Sequence, residues 1–224
     1  AFNLFVPLMS IVHTDEGKNK LAKVVAEQIT NSDSSTFSKI TEVGLEFIPP
    51  YYKECLNDKT AMDAYFLYER TDGKHGIIAI ETKYTDILGT NPASNPSFAI
   101  RQATENIGIS QLLTDEGIAG ITKRDIKLSQ VYRNFLLTET VRLHEHLDDS
   151  ISIILSPKEN ISNEEDESSL RAILKDEYKY KFQSVTLESF VSALIREFPD
   201  IDIFREFEKR YLDFEQVEKL INHA

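Results

Sequence analysis

Asp63, Glu81 and Lys83 are the residues of this sequence whose types and spacing could do chemistry. Glu81, Thr82 and Lys83 close the apolar run Gly76-Ile77-Ile78-Ala79-Ile80, and residues two apart on a strand point to the same side. Glu81 and Lys83 therefore face one site. Asp63 stands nine residues before the Asp72-Gly73 turn and Glu81 stands eight after it, so an antiparallel hairpin brings the two carboxylates together nearly in register. Cutting a phosphodiester needs a nucleophilic water, neutralised phosphoryl oxygens and a stabilised leaving oxygen. Hard divalent cations on carboxylates supply these. On this reading Asp63 and Glu81 are metal ligands for Mg2+ or Mn2+, the backbone carbonyl of Thr82 is a further ligand, and Lys83 orients the attacking water.

The elements that must position these groups follow from the pattern around them. Thr14, followed by Asp15 and Glu16, caps a helix whose Leu21, Val24, Val25 and Ile29 share a face. Residues 31–35 form a polar loop, and residues 37–48 read as either a helix or a strand before Pro49-Pro50. Residues 63–69 and 77–84 are strands joined by the Asp-Gly turn, and residues 86–96, with Gly89, Pro92 and Pro96, form a loop. Helices are expected over 98–113, 126–147 and 170–177, strands over 150–157 and 182–187, and a further helix through Phe198. The acidic stretch 160–169 reads as solvated surface. The tail reads as two helices, one with Phe204, Phe207 and Tyr211 on a stripe, the other with Phe214, Val217 and Ile221.

The chain has 224 residues, 41% hydrophobic and 28% charged, which allows a sizeable core and excludes global disorder. A net charge of −12 opposes indiscriminate nucleic-acid binding, although site carboxylates are part of that acid count. The single cysteine, Cys55, excludes an intramolecular disulfide, fits a reducing compartment and has no partner histidine for a thiol nucleophile. No apolar run reaches membrane-spanning length, and the short apolar stretch at residues 2–9 is a poor signal peptide, so the expected location is the cytoplasm. The sequence starts at Ala1 rather than Met, which fits a processed chain or a piece of a longer one. His144-Glu145-His146 lacks the i, i+4 spacing of a helical zinc site. Thr71-Asp72-Gly73-Lys74 lacks the glycines and hydroxyl residue of a phosphate loop.

Met62-Asp63, followed by Ile80-Glu81-Thr82-Lys83, resembles the PD-(D/E)XK nuclease superfamily, with Met62 in place of the nominal proline. The resemblance covers about residues 10–155. It implies an α/β, restriction-endonuclease-like mixed β-sheet flanked by helices, in the order helix, three strands, helix, strand. The expectation is one domain over residues 1–224, with that core followed by a C-terminal elaboration over about 156–224. Ser129-Gln130-Val131-Tyr132-Arg133-Asn134 resembles the Gln/Arg-bearing helix of several branches. Gln130, Arg133, Asn134 and Leu137 share one helical face, so Gln130 and Arg133 are candidate substrate-binding residues. Many members carry an extra acid on the first core helix, for which Glu27, Glu42 and Glu46 remain candidates. The resemblance implies a Mg2+- or Mn2+-dependent endonuclease acting on DNA, with RNA as the alternative substrate, in restriction or phage defence. Double-strand cutting would require a homodimer or a larger assembly. The rival reading is a non-catalytic module of the same fold that binds nucleic acid or a protein partner.

Overall fold

In the computed structural model, which describes residues 2–29, 37–53, 56, 59–84, 108–123, 130–160 and 164–213, the Asp72-Gly73 turn closes a tight hairpin. Gly73 adopts φ 80°, a left-handed conformation that glycine enters without a Cβ penalty. Its N–H donates to the Arg70 carbonyl at 3.0 Å, and the Arg70 N–H donates to the Lys74 carbonyl at 2.8 Å. The strands on either side are β2 (Met62–Arg70) and β3 (His75–Thr82).

The hairpin belongs to a five-stranded mixed sheet. β1 (Phe37–Phe47) pairs antiparallel with β2, and β2 with β3. β4 (Asp149–Ser156) and β5 (Phe182–Thr186) continue from β3 in parallel, so the spatial order is β1-β2-β3-β4-β5. β3 and β4 are buried almost throughout, as strands covered on both faces must be. The ambiguity over residues 37–48 resolves as strand: Ile40 and Val43 enter the core on one side of β1, while Glu42 lies exposed in the same strand.

Two helical layers cover the sheet. One holds α1 (Phe2–Ile11), α2 (Asp15–Gln28), α6 (Leu187–Glu197) and α7 (Asp202–Tyr211), packed over Phe66, Ile78, Ile80, Ile153 and Leu155. The other holds α3 (Asp115–Lys123), α4 (Gln130–His144) and α5 (Glu164–Ile173), packed over Ile77, Ala79 and Ile154. Thr14 caps α2 as expected, accepting from the Gly17 N–H at 3.1 Å. The apolar N-terminal stretch, however, is itself a helix. Leu4, Phe5 and Leu8 are buried, and the Phe5 ring lies 6.0 Å from that of Phe66.

Several boundaries differ from expectation. Of residues 98–113, the described part holds a short 3-10 turn, Ile109–Leu112, after which Leu113 bridges to Leu174. The long helix is α4, and residues 126–129 lie outside the described residues. The helix expected over 170–177 starts earlier, at Glu164, and stops at Ile173; a 3-10 turn, Asp176–Lys181, follows it. Acids suit a helix N-terminus electrostatically, so residues 164–169 of the acidic stretch form the first turns of α5. In the tail, Phe204 is fully buried and the Phe207 and Tyr211 rings lie 4.7 Å apart. The loops at 31–35 and 86–96, Cys55 and the second tail helix lie outside the described residues. No described helix is long and apolar enough to cross a membrane.

α4 ends in a left-handed cap at His146, φ 56°. The His146 N–H donates to the Leu143 carbonyl at 3.3 Å and the Leu147 N–H to the Arg142 carbonyl at 2.8 Å, a Schellman pattern that usually carries glycine. A left-handed backbone costs a residue with a Cβ roughly 1–2 kcal/mol, partly offset by the entropy of glycine in the unfolded chain. His146→Gly is therefore expected to stabilise the protein by about 0.5–1 kcal/mol, read as a higher urea midpoint at unchanged m-value. A lower midpoint would show that the histidine side chain stabilises the cap.

Candidate active site

The ladder that runs Tyr65↔Ala79 and Ala64↔Ile80 places Asp63 opposite Glu81 at its next step. Glu81 alternates with Ile80, so it lies on the α4 side of the sheet with Ile77 and Ala79. Asp63 is half-buried and held by the residue after Glu81. Its Oδ2 accepts from the Thr82 N–H at 2.8 Å and from the Thr82 hydroxyl at 2.7 Å. Lys83 lies just past β3, pinned by its N–H to the Leu155 carbonyl at 2.9 Å. Its Nζ sits 2.6 Å from Glu81 Oε1. The hairpin thus brings Asp63, Glu81, Thr82 and Lys83 together, as their spacing predicts.

Glu81 is 5% exposed. Burial pushes its carboxyl above the ordinary carboxylate value and the charge of Asp63 pushes it further, while Lys83 and Asn134 favour the charged form. Burial, then Asp63, outweighs Lys83 and Asn134. Two carboxylates share one lysine here, an arrangement that a divalent cation would neutralise.

Asn134 is the residue that the sequence alone left without a role. α4 presents it, 6% exposed, near enough to Glu81 for its amide to favour the carboxylate, yet neither Nδ2 nor Oδ1 reaches a partner in full hydrogen-bond geometry among the described residues. A buried amide left unpaired costs about 1–3 kcal/mol per group, so a polar partner at this position would stabilise the fold. Two carboxylates, a backbone carbonyl and an orphaned amide oxygen form a hard oxygen donor set, and the residues fit a small divalent cation such as Mg2+ or Mn2+.

The remaining candidates divide. Arg133 is partly buried, and its guanidinium donates to the Thr60 hydroxyl at 3.2 Å, three residues before Asp63. This anchors the first turns of α4 to the start of β2. Gln130 is the first residue of α4, and its side chain lies outside the described residues. Of the three upstream acids, Glu27 pairs with Arg196 in the opposite helical layer. Glu42 accepts a hydrogen bond from the Tyr65 hydroxyl; burial, then this contact, pushes that phenol up to about 12. Glu46 is exposed, and its register position is next to Asp63, between the pairs Leu45↔Ala64 and Phe47↔Met62. Its φ of 50° is a strained backbone for glutamate. Among the described residues no three acidic, histidine or cysteine side chains lie close enough to hold one ion. His144 stacks on Tyr51 at 3.5 Å, in keeping with a structural rather than a ligand histidine.

No curated protein and no solved structure matches the chain. A family model described as the PD-(D/E)XK nuclease superfamily matches residues 1–213. That match spans the mixed sheet, both helical layers and the hairpin that carries Asp63 and Glu81. The chain belongs to the PD-(D/E)XK nuclease superfamily.

Proposed function

We propose that the protein is a Mg2+- or Mn2+-dependent endonuclease that hydrolyses phosphodiester bonds of DNA, acting in restriction or phage defence in the cytoplasm. The observation that carries this reading is the placement of half-buried Asp63 opposite buried Glu81 across one hairpin, with Lys83 on the second carboxylate.

Asp63, Glu81 and the carbonyl of Thr82 would hold the cation. When bound, it neutralises charge on the phosphoryl oxygens and on the departing oxygen. Thr82 keeps Asp63 aimed into the site through its amide and hydroxyl. The Lys83 ammonium, fixed beside Glu81, orients the attacking water by donating to its oxygen. Gln130 and Arg133, at the start of α4, bind substrate phosphate, and the Thr60 contact holds Arg133 close to the strand that carries Asp63. With a net charge of −12, affinity for DNA has to come from these local groups and the cation rather than from the whole surface. Cutting both strands requires two such centres, hence a homodimer or a larger assembly.

The test is incubation of supercoiled plasmid, linear duplex and single-stranded DNA, together with RNA, with Mg2+ or Mn2+. The expected result is DNA cleavage that stops on chelation and is absent in Asp63→Ala and Lys83→Ala. Cleavage of RNA alone would reassign the substrate. A folded protein that binds DNA yet leaves every substrate whole would establish the non-catalytic module instead.

A further inference from the structure

Asn134 sits within the first turns of α4, and several polar side chains that follow it on the helix have partners. The Thr138 hydroxyl donates to the Asn134 carbonyl at 2.7 Å, and the Thr140 hydroxyl to the Leu136 carbonyl at 2.9 Å. Glu139 receives Arg142 at 2.8 Å and also the Ser150 hydroxyl. The Asn134 amide is the exception. It is buried beside Glu81, and neither polar atom reaches a partner in full hydrogen-bond geometry among the described residues. Val131, Phe135 and Leu137 on the same helix are each 2% exposed or less, so apolar side chains pack on part of its surroundings. A leucine would fill this volume with nothing left unsatisfied, so buried polarity here points to a ligand.

The charge balance indicates which one. Asp63 and Glu81 already repel each other, and Lys83 is committed to Glu81 at 2.6 Å. A further carboxylate would add to that repulsion before any cation arrived, and the described residues bring no third acid, histidine or cysteine into range. An amide oxygen is a hard donor that coordinates Mg2+-, Mn2+- or Ca2+-type ions without adding charge. We propose that Asn134 supplies the third side-chain oxygen of the cation site, with Oδ1 joining the carboxylates of Asp63 and Glu81. This rests on the metal-dependent reading above. Asn134 then couples the metal to α4, the helix that carries Gln130 and Arg133, so that cation binding fixes the phosphate-binding face relative to the hairpin.

The experiment is calorimetric titration of Mn2+ into the full chain, which needs no nucleic acid and no turnover. It compares the parent with Asp63→Ala, Asn134→Leu and Asn134→Asp, each checked for folding by circular dichroism. Asn134→Leu is expected to raise the Mn2+ Kd at least tenfold while its metal-free thermal midpoint stays level or rises. Asn134→Asp keeps an oxygen at the same place, so its Kd is expected to match or fall below the parent's, with a lower metal-free midpoint from the added charge. An unchanged Kd in Asn134→Leu would reduce Asn134 to packing and overturn the proposal. So would a folded Asn134→Asp whose Mn2+ affinity falls at least tenfold, since that would assign the role to Nδ2. A parent that binds no Mn2+, indistinguishable from Asp63→Ala, would remove the metal-dependent reading itself. Loss of binding confined to Asp63→Ala would leave that reading standing and remove only Asn134.

Discussion

Glu81→Gln is expected to abolish cleavage while leaving the metal-free protein at least as stable as the parent at pH 8. The loss of activity follows from removing the proposed cation ligand, which also holds Lys83. If the carboxylate supplies several kcal/mol of transition-state stabilisation, the rate falls by about three orders of magnitude or more. The stability term runs the other way. Burial and then Asp63 raise the Glu81 pKa in the folded state, and this net direction already includes the attraction of Lys83. A carboxyl with a folded pKa above its unfolded value favours folding most when protonated. Its contribution is present at low pH and is lost as pH rises through the folded pKa. Glutamine keeps the neutral form at every pH. The thermal midpoint of Glu81→Gln in chelator should therefore equal or exceed the parent's at pH 8, and the difference should close toward pH 4. Saturating Mn2+ should reverse the order, since ligand at a hundred times its Kd adds about 2.7 kcal/mol to the parent alone. A variant that is less stable in chelator at pH 8 would show that the Lys83 pair, and not burial, dominates the energetics of Glu81.

Much of this site is local, and what is local was legible. Asp72-Gly73 dictates a two-strand turn, and strand periodicity carries the register outward until Asp63 meets Glu81. No tertiary knowledge enters that argument. The three-dimensional contributions were not legible. Asn134 was visible as one of four residues on a helical face, but which of them looks at Glu81 depends on how α4 docks on β3. The amide and hydroxyl contacts of Thr82 with Asp63, beside the carbonyl role expected of it, depend on the hairpin's three-dimensional twist. The apolar N-terminus is too short for a periodic signal and holds Pro7, which disfavours a helix; burial of Leu4, Phe5 and Leu8 against the sheet overrides that propensity. Residues 164–169 read as surface because acids dominate them, whereas the helix there is set by Leu170 and Ile173 packing below.

Lys181→Met is expected to cost about 3–5 kcal/mol of stability, the usual cost of leaving buried charges without their partner. The Lys181 side chain is 6% exposed, and its Nζ lies 3.0 Å from both Glu139 of α4 and Asp149 of β4. It also donates to the Ser150 hydroxyl at 3.1 Å and to the Ser150 carbonyl at 3.3 Å. Asp149 receives the hydroxyls of Tyr68 and Tyr180 at 3.1 Å each. Tyr68 reaches it across β3 because its phenol lies over Gly76, where a Cβ would come within 2.6 Å of the ring. Burial, then the charge of Asp149, pushes both phenols up, so they stay neutral donors. Removing the ammonium leaves Glu139 with Arg142 at 2.8 Å, and Asp149 with Arg70 no nearer than 4.0 Å. The penalty should therefore fall mainly on Asp149. Asp149→Asn added to Lys181→Met should recover more of the loss than Glu139→Gln does, measured by urea unfolding. Equal recovery would mean that Lys181 serves the two carboxylates alike. A cost below about 1 kcal/mol would place the cluster among weakly contributing, solvent-screened pairs. The functional consequence lies on α4. Glu139 is five residues beyond Asn134, about 7.5 Å along the axis, so this buried cluster and the Arg133–Thr60 contact hold the helix on either side of the residue that faces Glu81. Loosening one of these holds should weaken Mn2+ binding even though no ligand is altered. Lys181→Met with full parental Mn2+ affinity would show that the site positions α4 without help from the far end of the helix.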